Sequence, residues 1–211
     1  MEEKKRKELY KRILMNLISN CICGLSVGFF RQAAFGVDPF QCFCGGLANI
    51  IPISFGTLYV IINGVLLLFM LLLARSYIGI GTFINMFLLG YIIDFSDKMI
   101  LSLFGAPGLG LRVFYLLFAV VILSFGSAFI FTADLGVSTY DWIALLAAKK
   151  QSRVPFRSIR IFTDCLCCAI GFVLGAIPGI GTIITAFFMG PLVSFFRTHF
   201  SEPFLYGRKA A

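Results

Sequence analysis

The segment GIGTFINMFLLGYIIDF at residues 79–95 returns one hundred residues later as GIGTIITAFFMGPLVSF at 179–195. Eight of the seventeen aligned positions are identical, namely Gly79/Gly179, Ile80/Ile180, Gly81/Gly181, Thr82/Thr182, Ile84/Ile184, Phe87/Phe187, Gly90/Gly190 and Phe95/Phe195. An apolar composition alone gives about one or two such matches. The same offset carries Phe29, Ala33, Gly36, Val37 and Ala48 onto Phe129, Ala133, Gly136, Val137 and Ala148. Self-similarity at a fixed period means that one structural unit is used twice. The chain therefore divides into a first repeat at 13–103 and a second at 113–197. A Pro/Gly linker at 104–112 joins them, with a basic arm at 1–12 and a tail at 198–211.

Each unit is too oily for water. Of 211 residues, 59% are hydrophobic and only 13% charged, against about 25% charged in a soluble domain. Uncharged runs fill 13–30, 39–74, 76–93, 113–133 and 165–196, and a bilayer core needs about 20 apolar helical residues per crossing. The expected fold is an all-α polytopic membrane protein. The net charge of +8 reports topology rather than nucleic acid, because basic residues flank membrane spans on the cytoplasmic side. The arm MEEKKRKELYKR suits an anionic leaflet. Its apolar continuation is too long for a signal peptide and belongs to the repeat, so it counts as the first span.

Two segments break the pattern. Asp38 before Pro39 reads as N-cap and first helical residue, opening a helix that reaches only to about Ile51 before Pro52. In the copy, Ser138 caps and Asp141 follows three residues on, a capping-box pattern. Both helices are too short to cross, so each half is expected to hold three full spans and one re-entrant helix. The spans are placed at 13–30, 55–74, 80–95, 113–131 and 159–177, with a sixth that follows Pro178-Gly179 and is kinked at Gly190-Pro191. Three spans per half makes the halves inverted relative to one another, as in many carriers. With both termini cytoplasmic, fifteen Lys and Arg lie inside and three outside. Eight full spans give sixteen against two, so charge alone leaves both topologies open. The location is the cytoplasmic (inner) membrane of a bacterium.

The repeated G-I-G-T is the sharpest chemical signal. Gly79, Gly81 and Thr82, with Gly179, Gly181 and Thr182, place backbone N–H groups, hydroxyls and a positive helix end at a helix mouth. The short helices opening at Asp38 and Ser138 present the same chemistry, and Asn85 adds a polar side chain. The competing reading is that these glycines serve a tight turn and close helix packing. Asp94, Asp134 and Asp164 are the ionisable candidates for coupling, although each stands near a helix end, and Asp164 follows Arg160 at a spacing that suits a local ion pair. Seven cysteines lack a neighbouring His, so they read as packing residues rather than a metal centre. The lone His199 leaves no catalytic pair within the bilayer. Neither a catalytic residue, a cofactor nor a metal is expected.

The run G-V-D-P-F at 36–40, the small-residue helix through Gly46, S-F-G-T at 54–57, and G-I-G-T followed by Asn85, Gly90 and Asp94 resemble the YczE/YitT-like bacterial integral membrane proteins. The YczE branch is nearer, since the cytosolic C-terminal domain of the YitT branch is absent. The resemblance spans nearly the whole chain and implies fold and location, with no activity attached. In the second half Asp38-Pro39 becomes Ser138-Thr139 and Asn85 becomes Thr185. The expectation is a small secondary-transporter-like carrier of an anionic or zwitterionic metabolite, with its site between the halves. The alternative is a non-transporting scaffold presenting Lys149–Arg160 to another enzyme or regulator. Partners are then the lipid bilayer, a small-molecule substrate, and either a second copy or another membrane protein, with no nucleic acid.

Overall fold

A computed structural model describes residues 2–150 and 156–207. Every regular element in it is helical: α1 Glu2–Ala33, α2 Pro39–Ile50, α3 Phe55–Leu73, α4 Ile80–Phe104, α5 Leu109–Ala133, α6 Asp141–Lys150, α7 Phe156–Val173 and α8 Ile180–Phe196. A π-turn, Arg197–Ser201, carries α8 on into the short α9, Glu202–Tyr206.

Among the described residues, four helices are long and apolar enough to cross a membrane: Lys5–Ala33, Phe55–Leu73, Leu109–Ala133 and Ile180–Tyr206. Their outward faces are oily, as at Leu14, Leu68, Leu72, Leu117 and Phe188, which is the surface lipid tails require. The remaining two expected spans are more polar. The 25-residue α4 carries Asp94, Asp97 and Lys98, and the 18-residue α7 carries Arg160 and Asp164.

The helix starts follow local chemistry. The Asp38 carboxylate accepts the Gln41 N–H at 3.2 Å with Pro39 behind it, and the Ser54 hydroxyl accepts the Thr57 N–H at 3.3 Å. At α4 and α8 the Thr82 and Thr182 hydroxyls each accept the N–H of Gly79 or Gly179 at 3.3 Å, meeting donors the first helical turn leaves unpaired.

Several expectations need correcting. The third span runs to Phe104 rather than Phe95, because Asp94 and Asp97 find partners on α1 and α3 and do not end the helix. Ser138 does not close a capping box. Its hydroxyl accepts the Tyr140 N–H at 3.2 Å, α6 begins at Asp141, and the Asp141 carboxylate pairs with Arg160 instead. Pro191 sits inside α8 without ending it. Residues 198–206 are helical rather than a loose tail: Ser201 meets Thr132 at 2.5 Å and Glu202 pairs with Arg197 at 2.8 Å. The arm continues as the first turns of α1. In the basic loop, residues 151–155 lie outside the described residues, as do 208–211 of the tail.

Contacts along α1 fix relative directions. Asn20 bonds Asn85, Gly24 abuts Ile92, Gly28 abuts Ser96 and Gln32 bonds Asp97, so α1 and α4 run side by side in the same direction. In contrast, Arg12 bonds the Ala133 carbonyl, Cys23 abuts Gly126 and the Ser26 hydroxyl donates to the Ala119 carbonyl, so α5 runs opposite to α1. Helix α8 follows α5: Gly181 lies on Leu116, Phe196 on Phe125 and Ser201 on Thr132.

Candidate functional site

The two G-I-G-T turns are bound crosswise. The Gly81 N–H donates to the Leu135 carbonyl and the Gly181 N–H to the Phe35 carbonyl, each at 2.7 Å. Each acceptor sits between a left-handed residue and a left-handed glycine: Asp134 (φ 50°) and Gly136 (φ 108°) around Leu135, Ala34 (φ 55°) and Gly36 (φ 91°) around Phe35. Gly79 and Gly179 lie so close to these loops that a Cβ would collide with backbone. The N–H groups expected to face a substrate are therefore occupied by carbonyls of the other half, and the glycines serve close approach. The Thr82 hydroxyl donates to the Val137 carbonyl at 2.7 Å, and Thr182 accepts from Thr185 at 3.0 Å through its carbonyl.

Asn85 is likewise engaged. Its amide donates to Asn20 at 3.1 Å, and Asn20 donates to Asn16 at 3.0 Å, a ladder between α1 and α4. Asp94 accepts the Gly56 N–H at 2.7 Å, capping α3, and stands 3.8 Å from Arg31. The Arg31 guanidinium lies over the Phe55 ring at 3.8 Å and is also 3.8 Å from Asp97. Asp134 borders an open groove of about 460 Å³ lined by residues 76–80 and 134–137.

Asp164 stands apart from these. It is 5% exposed, accepts the Tyr140 hydroxyl at 2.7 Å and pairs with Arg160 at 3.2 Å. Arg160 also reaches Asp141 on α6, so one guanidinium bridges two carboxylates from two helices. The Tyr140 ring lies 4.6 Å from that guanidinium and stacks on the Phe40 ring at 4.8 Å. Phe40 and Tyr140 are repeat equivalents, so the N-terminal ends of α2 and α6 meet through two stacked rings. Beside them the Thr139 hydroxyl donates to fully buried Asn63, whose amide donates to the Tyr59 carbonyl at 2.7 Å. Asp38 caps α2 two residues before Phe40.

The structure thus brings together Asp38, Asp164 and the turn after Ser138, while Thr82, Asn85 and Asp94 are held in other contacts. Tyr140 is the cluster member that the sequence pattern leaves unmarked, whereas Arg160, Asp141 and Asn63 stand out in it as a local ion-pair partner, a cap residue and a polar interior residue. On α7, Arg160, Thr163, Asp164 and Cys167 recur at helical spacing and mark one polar face. On α1 the residues Asn16, Ser19, Asn20, Cys23 and Ser26 do the same, and that face is buried.

An all-helical bundle with an oily exterior and ionisable groups held inside defines a multi-pass membrane protein. The chain belongs to DUF6198, a family of unknown function, whose model matches residues 10–198. An uncharacterised protein of Haemophilus influenzae is 25% identical over 190 residues, covering 89% of this chain and 84% of the relative. The uncharacterised membrane protein YczE of Bacillus subtilis is 29% identical over 163 residues, covering 77% of this chain and 74% of the relative. The YczE-like family read from the motifs is thus the family of this chain. No solved structure matches it.

Proposed function

We propose that this chain is a carrier, not an enzyme, for a small anionic or zwitterionic metabolite. Its ligand site lies where α2, α6 and α7 meet, in the cytoplasmic membrane with both termini inside. The observation that carries this reading is the partly buried cluster of Arg160 and Asp141 around buried Asp164 and the Tyr140 hydroxyl. Ionisable groups at membrane depth are costly and are retained where a substrate or ion path needs them. Arg160 is the group that takes a carboxylate or phosphate oxygen, since a guanidinium offers forked donors.

The architecture fits alternating access. The offset of one hundred residues relates the Gly81–Leu135 and Gly181–Phe35 hydrogen bonds, as expected of two like units. The common direction of α1 and α4 favours six crossings with α2 and α6 re-entrant, because eight crossings make those two helices antiparallel. Inverted repeats with broken helices at the centre are a common carrier plan, and the two crosswise hydrogen bonds would then close opposite ends of the path.

The experiment is a thermal-stability screen of the purified protein against pooled amino acids, organic acids and inorganic ions. A ligand at a hundred times its dissociation constant stabilises by about 2.7 kcal/mol. The expected result is a saturable hit that Arg160→Gln abolishes. A blank across the library with folded protein sinks the carrier reading and favours the scaffold.

A further inference from the structure

We infer that α7 alternates between two partners, resting on α2 in this structure and packing on α8 in a second state. The inference rests on the carrier reading for its plan of two like halves. In the first half α3 lies tight against α4. A Cβ at Gly90 would stand 2.9 Å from Tyr59 Cβ, and one at Gly56 would meet Tyr91 and Asp94. The offset of one hundred residues makes α7 the counterpart of α3 and α8 that of α4, with Ile159 in the place of Tyr59 and Gly190 in that of Gly90. Yet α7 packs on α2 and α6 and not on α8. Gly190 and Ser194 are exposed where Gly90 is buried and Asp94 half-buried. A Cβ at Gly190 would meet nothing among the described residues. On α7 itself, Ile170 is 39% exposed where Met70 of α3 is 0% exposed. Glycine at such a position lets membrane helices approach closely, and the first half supplies the occupant: the preceding helix of the same repeat.

A lock present in one half only accounts for the state seen. Asp94 accepts the Gly56 N–H at 2.7 Å and stands 3.8 Å from Arg31, so it ties the first turn of α3 to α4 and α1. The counterparts of Asp94 and Arg31 are Ser194 and Phe131, which cannot form that pair. Helix α7 is held elsewhere instead. Gly171 comes so near α2 that a Cβ there would lie 2.6 Å from the Cys42 carbonyl oxygen, and Arg160 reaches Asp141 of α6. The pivot is the turn at 174–179 that joins α7 to α8, where Gly175 has φ 84°. Hinges place a large backbone change in a few such residues. The gap between α7 and α8 therefore opens at the end of α7 that carries Arg160 and Asp164. A helix with two packings, one of them favoured by a single carboxylate, is a two-state element whose populations one residue can shift.

Ile159→Cys with Gly190→Cys, placed in a cysteine-free full chain in proteoliposomes, reads the second state. Copper phenanthroline oxidises two thiols to a disulfide where their Cβ atoms come to about 3.5–4.5 Å. The expected result is a cross-link within one chain, well above the level in the single-cysteine chains. Asp94→Ser and Ser194→Asp, which exchange the lock between the halves, are each expected to speed it by about fivefold, the factor a helix cap is worth. Ser194 is exposed, so Ser194→Asp keeps the test decisive if Asp94→Ser does not fold. No cross-link, with both cysteines open to maleimide, overturns the second state. A cross-link between chains in place of one within a chain assigns this face to a second copy and overturns it too. A cross-link that neither variant speeds overturns the lock. A hit in the metabolite library without a cross-link leaves the carrier standing and refutes the swing. A cross-link beside a silent library leaves the swing and removes the carrier.

Discussion

Tyr140 ties two helices with one side chain. Its ring stacks on Phe40 of α2 and lies against the Arg160 guanidinium of α7, and its hydroxyl donates to Asp164 of α7. Tyr140→Phe keeps both stacking contacts and removes only the donor, leaving a buried carboxylate one hydrogen bond short. The expected loss is about 1–3 kcal/mol, read from the denaturation midpoint in detergent. Stability equal to the parent would show that the hydroxyl contributes nothing to holding Asp164. Part of this was legible beforehand: Arg160 and Asp164 are four apart on a helix, and that spacing alone implies contact. The Asp141–Arg160 pair was not, because nineteen residues separate them and only the way α6 lies along α7 joins them. A Ser-x-x-Asp pattern suggested a local capping box, and a long-range ion pair won the carboxylate.

At the scale of elements, the crosswise loops are the most constrained parts of the chain. Gly136 has φ 108°, and a Cβ there would lie 2.5 Å from the Gly79 nitrogen; Gly36 has φ 91° with the same approach to the Gly179 nitrogen. Gly136→Ala and Gly36→Ala therefore combine left-handed strain with backbone collision, and each is expected to cost at least about 1–3 kcal/mol. Gly64, inside α3 with open space around it, provides the control. Gly64→Ala is expected to be neutral or to stabilise by about 0.5–1 kcal/mol. Thermal melts of the three variants check this, and equal melting of Gly64→Ala and Gly136→Ala would remove the loops' special status. The repeat made Gly79, Gly81 and their copies conspicuous, since few other constraints preserve the same glycines at one offset. It could not say what they touch. The partners are carbonyls, which carry no side-chain signature, and one of the left-handed turns begins at Ala34, a residue type that does not advertise that conformation, whereas Asp134 belongs to a type that tolerates it.

At the scale of the molecule, charge counts left six and eight crossings nearly equal, because moving three basic residues changes the bias only slightly. Helix direction is a stronger criterion, and it is a tertiary property. From Asn20–Asn85 to Gln32–Asp97 the partners on α1 and α4 advance together, so whichever face α1 starts from, α4 starts from it too. With a cytoplasmic N-terminus, Ser76 just before α4 faces the cytoplasm and Ala106 just after it faces outward. Both residues are exposed and so are reachable by reagent. In a cysteine-free background, Ser76→Cys is expected to react with a membrane-impermeant maleimide only after right-side-out vesicles are opened, and Ala106→Cys before. Eight crossings reverse both results. Since the eight-crossing path would also force α1 and α4 to run antiparallel, that reversal would contradict the helix packing itself along with the count of spans. The expected pattern, in turn, leaves α2 and α6 entering from opposite faces, the arrangement that lets their N-terminal ends meet at Phe40 and Tyr140.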